Sequence, residues 1–588
     1  MPMSSALATK MGKIPVSKGT PGIDPRTILV LGAALLAAGS AWHLWTVPGF
    51  TRKTEMIVAE YLFVAGLSLL VLALLNRFKA FILISNLHGW SLDTSVAAGL
   101  SASIWFLGMR QFGGYDHSAL IQAAWLQFSS LVPFKDYPCT LPPLFFLGAR
   151  YAFLLFGVCW SAFVLLMGVF AVLSFLFLSR QFRAMGFPAA GATILALAAE
   201  VGTTVVCSYW WHNAITSVVG LMVFVSTLAC LAHANDWKSW ASLGVSFTLL
   251  ILSKPNAWPV GACIVLLFTL DAGRRLRALT VVVVGILLSG TICWFHGLSP
   301  LSVLRTYSEI AKSRGNPFSM VGLTEAVPVE RRILLWSTAV IVSLFVSVLA
   351  ANRNELLRHW REYSCCVITA FTSLAMASMN YEVKTSDLMC LVIVLAVAAF
   401  RPWSERRLER IGRAATFFVI VSFAILSSYW GVTRMRVRGI GEYTFFEDVP
   451  TQTIETGFFA GLHSGPRLIA VLWQVEYALD TYPSNKVFFG PRMEFSYAAF
   501  RRAPPRGLPI WWHSGTSFPA RDFDEITHTF ESADFDLLIF LRGDYTRMSL
   551  PALQRKLSDY QLVTRFSQLD VFVRRNGGRM TPQISSRK

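Results

Sequence analysis

Two aspartates, Asp116 and Asp136, stand twenty residues apart in the stretch 113–143, which begins Gly-Gly-Tyr-Asp-His. A carboxylate next to a membrane-spanning helix is energetically costly and usually functional. It can take a proton from a hydroxyl nucleophile. Asp116 is therefore the first candidate for a catalytic residue, and a solvated acid at a helix end is the alternative interpretation.

The residues between the two aspartates predict an amphipathic helix. Its apolar side chains, which we expect on a lipid-facing side, are Ala119, Ile121, Trp125, Phe128 and Leu131. The side chains expected to stay in a polar environment are Gln122, Gln127 and Ser129.

The composition is that of an integral membrane protein. Of the 588 residues, 54% are hydrophobic and only 15% are charged, and long apolar runs recur along the chain. The formal net charge of +18 could indicate nucleic-acid binding, but the basic residues lie between the apolar runs and form no single patch. Basic cytoplasmic loops and anionic lipid headgroups account for this pattern better. The predicted partners are therefore membrane lipids and not nucleic acid.

The apolar runs predict thirteen transmembrane helices with the N-terminus in the cytoplasm. Residues 1–26 are expected to be a disordered leader, and residues 27–432 the membrane domain. The predicted spans are 28–47, 56–76, 93–110, 158–179, 187–208, 213–233, 239–253, 257–271, 278–295, 333–351, 365–380, 388–400 and 414–431.

The first large outer loop is predicted at 111–157, and its second half, 141–157, allows two interpretations. It either crosses the bilayer or forms an interfacial or re-entrant helix. Pro142 and Pro143 suit the first turn of a helix, and Arg150 in the middle argues against full exposure to lipid. These residues favour the interfacial or re-entrant helix.

From about residue 440 short apolar runs alternate with helical periodicity, which predicts a small soluble α/β domain over 440–576 outside the membrane. Strand-like runs lie at 486–489, 509–512, 536–540 and 569–573, and helices are predicted near 466–481, 492–502, 523–533 and 549–560. No glycine-rich phosphate loop opens these helices, which argues against nucleotide binding. Residues 577–588 predict a disordered tail.

Several polar residues fall at predicted outer helix ends, namely Asp116, Asp136, His212 with Asn213, Lys254 and the turn 381–387. Both signs of charge would then line one cavity at the membrane–water boundary. There a carboxylate can activate a hydroxyl group while a lysine or arginine holds a lipid phosphate, which suits sugar transfer from a lipid carrier. A transporter would instead place its charges near the bilayer midplane.

The segment Gly114-Tyr115-Asp116-His117, the amphipathic stretch and Asp136-Tyr-Pro-Cys-Thr-Leu-Pro-Pro-Leu144 together resemble the first outer loop of the GT-C glycosyltransferases. The similarity is to the protein O-mannosyltransferases and the lipid A aminoarabinose transferases. These enzymes take a sugar from a polyprenyl-phosphate carrier at the outer face of the membrane. The resemblance extends to the helix order, to the turn Leu252-Ser-Lys254-Pro and to the outer C-terminal domain.

The resemblance implies that Asp116 is the catalytic or metal-associated carboxylate, with Mg or Mn as the cation, and that Asp136 is a second catalytic residue in the same pocket. The residues implied for the carrier phosphate are Lys254, Lys384 and Arg314. Those implied for the acceptor or the pocket wall are Tyr115, His117, His212, Asn213 and Tyr381. The chain departs from the family pattern at Leu141, where a histidine or lysine is common, at His212–Asn213, where many relatives carry an acid, and at 381–384, where Arg-Tyr is frequent.

These residues also have simpler interpretations. Asp136 beside Lys135 can be a solvated ion pair, Lys254 and Lys384 can anchor helix ends, and His212 can belong to an interfacial aromatic belt. Basic residues of the loop 296–332, Arg314 included, can bind lipid headgroups. The run Trp511-Trp512-His513 is expected to form a buried strand, with stacking on sugar rings as the alternative.

The sequence thus predicts an α-helical GT-C-like glycosyltransferase of the bacterial cytoplasmic membrane, with its active site and C-terminal domain on the outer face. It would move a sugar from a polyprenyl-phosphate carrier to a lipid, glycan or protein acceptor. The alternatives are a polymerase or ligase of lipid-linked glycans, and a lipid or glycan transporter without catalysis.

Overall fold

The computed structural model describes residues 89–110, 112–233, 235–314, 357–379, 385–400, 452–512, 517–542 and 556–575, all within one compact unit of the chain. The predicted leader, the predicted tail and the spans predicted at 28–47, 56–76, 333–351 and 414–431 lie outside these residues.

The membrane part is built from helices, most of which overlap the predicted spans. In chain order they are α1 Gly89–Gly108, α2 Tyr115–Phe128, α3 Pro143–Phe156, α4 Ser161–Ala184, α5 Ala189–Glu200, α6 His212–Ala232, α7 Trp237–Leu252, α8 Ala272–Phe295, α9 Pro300–Arg314, α10 Trp360–Met379 and α11 Thr385–Phe400. Helices α2, α3 and α9 lie in the predicted outer loops 111–157 and 296–332. A π-helical turn, Val201–Val205, extends α5. The predicted span 257–271 is a 3₁₀ helix, Pro255–Thr269, and Pro259 inside it has no amide hydrogen for an α-helical hydrogen bond.

Three of the described helices are long and apolar enough to cross a membrane: Ser161–Ala184, His212–Ala232 and Ala272–Phe295. Shorter apolar helices surround them, and leucine, valine and phenylalanine side chains of α4 and α8 are exposed on the outer surface of the bundle. Exposed apolar side chains on apolar helices are what lipid contact requires. The chain is a helical membrane protein.

Contacts between helix ends show that α4 runs in the direction opposite to α1 and α5. At one end, which we call the Asp93 end, Arg183 and Thr193 both bind the Asp93 carboxylate, at 2.7 Å and 2.8 Å. These bonds join the start of α1, the end of α4 and the start of α5. At the other end, which we call the Asp116 end, the indole nitrogen of Trp160 donates to the Gly108 carbonyl at 3.0 Å, joining the end of α1 to the start of α4.

Helix α3 does not cross the bundle, which agrees with the interfacial interpretation. Leu141, just before its start, accepts a hydrogen bond from the Tyr307 hydroxyl of α9 at 3.4 Å. Just past its end, the Trp160 amide donates to the Phe458 carbonyl at 2.9 Å. Both ends of this short helix therefore lie at the Asp116 end.

The lipid-facing side predicted for α2 is wrong. Ala119 and Ile121 are fully buried, and Gln122 and Gln127, expected to be in polar surroundings, are buried as well. The Gln127 amide donates to the Ala123 carbonyl at 3.0 Å and to the Phe146 carbonyl of α3 at 2.8 Å. Apolar residues of α2 face protein because α3 and the C-terminal segment cover the helix.

The C-terminal segment is an α/β unit with a four-stranded sheet of order β3-β4-β6-β5. Its elements are β1 Gln452–Thr453, β2 His463–Ser464, α12 Pro466–Thr481, β3 Val487–Phe489, α13 Phe495–Ala499, α14 Phe523–Ser532, β4 Leu537–Leu541, β5 Tyr560–Arg565 and β6 Leu569–Arg574. Strand β3 runs parallel to β4, and the other pairs are antiparallel.

Two sequence-based expectations fail in this unit. The run 509–512 forms no strand, and β5 occupies residues that follow a predicted helix near 549–560. Trp511 is buried instead by packing edge-on against Trp211, with ring centroids 5.7 Å apart. Tertiary contacts thus bury these apolar side chains without a strand at 509–512.

Candidate active site

Asp116 lies in the first turn of α2, where the chain turns sharply after α1. Gly114, the residue before the helix, has φ 105°, a backbone conformation that disfavours a side chain. Its carbonyl accepts the Ser118 amide at 2.5 Å, which closes the first turn. Asp116 itself is half-buried, so its position is fixed by the helix while part of its side chain remains accessible.

His117 is fully buried and holds the loop that precedes Asp116. Its Nδ1 accepts a hydrogen bond from the Gly113 amide at 3.2 Å. Its ring packs against Tyr209 and Trp160, with centroids 4.2 Å and 5.4 Å away. Burial lowers the pKa of His117 to about 3, so the ring is neutral at pH 7. The predicted pocket residue is therefore suited to position its neighbour and not to exchange protons at neutral pH.

Asp136 uses its polar groups to shape the loop 132–136. Its carboxylate accepts the Val132 amide at 2.7 Å, and its own amide donates to the Val132 carbonyl at 2.9 Å. Its carbonyl accepts the Gly507 amide at 2.9 Å, which ties the loop to the C-terminal segment. These bonds give Asp136 a structural role in addition to any contact it makes with substrate.

The structure brings Lys254 and Asn213 together. The Lys254 ammonium group donates to the Asn213 side-chain oxygen at 3.2 Å, across the turn that precedes the 3₁₀ helix. Asn213 and its neighbour His212 are both buried at the start of α6. The His212 ring lies 5.7 Å from Phe145 of α3, centroid to centroid. Residues predicted at two separate outer helix ends thus lie at one place.

This Lys254 cluster and Asp116 lie at the same end of the bundle. Tyr209, three residues before His212, packs against His117 beside Asp116. Trp211, between them, lies with its ring centroid 6.1 Å from that of Tyr209. A short aromatic stretch therefore links His117, the neighbour of Asp116, to His212 at the start of α6, where Lys254 binds Asn213.

The C-terminal segment covers this end through backbone contacts. The Phe495 amide donates to the Ser118 hydroxyl at 3.0 Å, and the Trp125 indole donates to the Arg502 carbonyl at 2.8 Å. The amide of His463 donates to the Met109 carbonyl at 2.9 Å. The hydrophobic core is continuous across these contacts, so the α/β unit is packed onto the membrane helices.

Sequence reasoning missed two charged residues next to this interface, Arg492 and Glu494. Both are buried, and Arg492 has φ 69°, which is rare for a side chain larger than glycine. They stand within three residues of Phe495, whose amide binds the Ser118 hydroxyl two residues after Asp116. The periodicity placed 492–502 in a helix, and the only signal for a site was the pairing of opposite charges in a Gly-Pro turn.

Four predicted site residues lie wholly or partly outside the described residues. Lys384 and Tyr381 lie outside the described residues, and only the backbone is described for Tyr115 and Arg314. Arg314 ends α9, which reaches the C-terminal segment through an ion pair of 3.5 Å between Glu309 and Arg521. The roles assigned to these four residues stay predictions.

A divalent cation would need several oxygen or nitrogen ligands near Asp116. Within the described ranges, no group of three or more His, Cys, Asp or Glu side chains is arranged to hold a metal ion. The Asp136 carboxylate is engaged with the Val132 amide. The described residues therefore supply no ready-made metal site, and the Mg or Mn expectation stays a prediction.

Comparison with known proteins yields matches among solved structures. No family model and no curated protein matches the chain. A crystal structure of ArnT from Cupriavidus metallidurans bound to undecaprenyl phosphate is 13% identical, covers 84% of this chain and 99% of its own, and has a TM-score of 0.48. The apo structure of the same protein is 14% identical, covers 82% and 97%, and has a TM-score of 0.49. ArnT is a lipid A aminoarabinose transferase, one of the families that the first-loop motif resembles.

Proposed function

We propose that the chain is a membrane glycosyltransferase that moves a sugar from a polyprenyl-phosphate carrier to an acceptor on the outer face of the membrane. The observation that carries the proposal is the 3.2 Å contact of Lys254 with Asn213 at the same end of the bundle as Asp116. An acid and an amine at one membrane boundary are the two groups that transfer from a lipid phosphate requires.

The reaction we infer is a single displacement that inverts the anomeric carbon. Asp116 takes the proton of the acceptor hydroxyl as its oxygen forms a bond to the anomeric carbon. The bond from that carbon to the carrier phosphate oxygen breaks, and the electron pair leaves with the phosphate. Lys254, oriented by Asn213, stabilises the charge on the leaving phosphate. The predicted Lys384 and Arg314 would assist in the same way.

The membrane helices and the C-terminal segment exclude water from this reaction. Tyr209 and Trp160 pack against His117, the neighbour of Asp116, and the Phe495 amide of the C-terminal segment binds the Ser118 hydroxyl. Excluding water strengthens the attraction between a cation and a phosphate and prevents hydrolysis of the donor.

Purified protein in lipid nanodiscs should be incubated with a panel of labelled polyprenyl-phosphate sugars and with lipid, glycan and peptide acceptors. We expect one donor to support transfer, and Lys254→Met to weaken donor binding by about tenfold or more, because charge-assisted bonds contribute about 1.5–3 kcal/mol. Lys238→Met, at the opposite end of α7, is the matched control and should bind as the wild type does. If a donor binds but no acceptor receives the sugar, the result favours the transporter.

A further inference from the structure

A second basic cluster joins α3 to the turn that follows α8. The Arg150 Nη1 lies 3.5 Å from Nδ1 of His296, and the Tyr151 hydroxyl lies 3.3 Å from Nε2 of the same ring. Gly297, with φ 72°, forms the turn that presents His296, and it lies beside Val132 of the Asp136 loop. The cluster is therefore at the Asp116 end, and the mechanism above does not use it.

The charge of Arg150 has no counter-ion in the part of the chain that the structure describes. No described carboxylate lies within ion-pair distance of its guanidinium group. Its Nε is buried and has no hydrogen-bond partner among the described residues. A partly buried guanidinium without an anion is energetically costly at a membrane boundary, and an anionic ligand would remove that cost.

The hydrogen bonds within this cluster use the acceptor nitrogen of His296, so the groups that remain for a ligand are hydrogen-bond donors. Because a guanidinium can only donate, Nδ1 of His296 is the acceptor, and its Nε2 hydrogen points to the Tyr151 oxygen. Burial, with a smaller contribution from Arg150, lowers the pKa of His296 and favours this neutral form. The free Tyr151 hydrogen and the remaining Arg150 hydrogens can then be donated outward. Phosphate oxygens are the acceptors that such a set matches.

The surroundings of the cluster are apolar and exposed. On α3, Leu154 and Leu155 are 52% and 67% exposed, and at the end of α8 both Trp294 and Phe295 are 77% exposed. On a membrane helix such side chains contact lipid chains. An anion that reaches Arg150 from this side arrives attached to a hydrocarbon chain.

We propose that Arg150 and Tyr151, both positioned by His296, bind the phosphate group of a membrane lipid whose chain lies against the exposed apolar side chains of α3 and α8. The phosphate site stands on these contacts alone. Its assignment to the polyprenyl-phosphate carrier, held beside the active site, rests on the proposed function. A phospholipid headgroup carries the same chemistry and is the other source.

The test is binding of a long-chain polyprenyl monophosphate to the full chain in phosphatidylcholine nanodiscs, with no acceptor present. Arg150→Gln should weaken binding by about tenfold or more, and Tyr151→Phe by a few fold, as expected for losing a charged and a neutral donor. Arg277→Gln, an exposed arginine at the opposite end of α8, is the matched control and should bind as the wild type does. Unchanged binding in Arg150→Gln, or an equal loss in Arg277→Gln, would overturn the proposal.

Competition identifies the source of the phosphate. If excess phosphatidic acid leaves polyprenyl phosphate bound, the site selects the carrier; if it displaces the carrier, the site takes phospholipids generally. Displacement by inorganic phosphate at equal concentration would refute the lipid part of the proposal. If Arg150→Gln does not fold, the double variant Tyr151→Phe/His296→Gln replaces it, and full binding there counts against the site.

The measurement separates this proposal from the proposed function. Asp116→Asn should bind the polyprenyl phosphate as the wild type does, because Asp116 belongs to neither phosphate contact. Loss of binding in Arg150→Gln without transfer to any acceptor would support the site and reject the glycosyltransferase. Sugar transfer together with unchanged polyprenyl phosphate binding in Arg150→Gln would support the glycosyltransferase and reject the phosphate site.

Discussion

The two aspartates of the first outer loop are held in different ways. Asp116 is fixed by the first turn of α2, whereas the Asp136 carboxylate already accepts the Val132 amide at 2.7 Å. We predict that Asp116→Asn lowers turnover by about 10²-fold or more, because the amide cannot accept the hydroxyl proton. Single-turnover transfer, measured beside donor binding on the same preparation, checks this. Binding should change little.

Asp136→Asn is the matched control for this prediction. Its amide oxygen can still accept the Val132 hydrogen, so the loop should keep its shape and turnover should fall much less than in Asp116→Asn. If Asp116→Asn transfers sugar at nearly the wild-type rate, the catalytic assignment fails.

His117 makes the stability of the protein depend on pH. Burial lowers its pKa from 6.5 to about 3, so the unfolded chain binds more protons between these values. Stability should therefore fall as the pH drops below about 6.5, by up to about 1.4 kcal/mol per pH unit. His117→Asn keeps an acceptor oxygen for the Gly113 amide but does not titrate, so its thermal inactivation temperature should vary less between pH 7 and pH 5.

The exposed His528 provides the comparison for His117. His528→Asn should leave the pH dependence of the inactivation temperature as it is in the wild type. Equal pH dependence in wild type and His117→Asn would show that another group controls acid stability.

At the scale of elements, Gly148 sets how closely α3 approaches the start of α6. A Cβ there would collide with the indole of Trp210, whose nitrogen donates to the Phe145 carbonyl at 2.8 Å. We predict that Gly148→Ala destabilises the protein by about 1–3 kcal/mol, the usual cost of overpacking. Turnover should fall with it, since Trp210 is next to Tyr209 and Trp211, which line the path from His117 to His212.

Gly99 of α1 offers a helical glycine for comparison, because a Cβ there would meet nothing within 4 Å. Gly99→Ala should be neutral or stabilising by up to about 1 kcal/mol through helix propensity. Thermal inactivation of both variants in the same detergent measures the difference. Similar effects of the two substitutions would mean that the α3–Trp210 contact is not tightly packed.

For the whole molecule, the opposite positions of the Asp93 end and the Asp116 end predict which side of the membrane each loop faces. The C-terminal segment packs on the Asp116 end, and the basic inner loops predict that this end faces outward. A reporter active only outside the cytoplasm should give a signal when fused after residue 576. Fusion after Asp236, between α6 and α7 at the Asp93 end, should be silent. A reversed pair of signals would invert the proposed orientation.

The C-terminal segment is predicted to be accessory to catalysis. Asp534 is exposed, with 55% of its side chain accessible to solvent, and it forms an ion pair of 3.0 Å with Arg574. Asp534→Asn should leave sugar transfer nearly intact, because exposed ion pairs contribute little. The same is expected of Asp544→Asn, which lies outside the described residues. Loss of turnover in either folded variant would move chemistry into this segment.

The sequence by itself determined that the chain is a helical membrane protein and that its polar residues lie at helix ends. Apolar runs of spanning length can hardly fold in water, and charges between them must lie at helix ends. The positions of α6, α7, α12 and β6 follow from the same local periodicity, which needs no knowledge of distant residues.

Only the tertiary structure decided which side chains meet. Periodicity shows that one side of α2 avoids water, but whether lipid or protein covers it depends on α3 and on residues 495–507, far away in the chain. The Lys254–Asn213 contact and the burial of Glu494 likewise join residues distant in sequence. The hydrophobic effect is non-directional, so a sequence pattern can show that a helix face must be buried. Which helix, strand or lipid covers that face depends on how the whole chain packs.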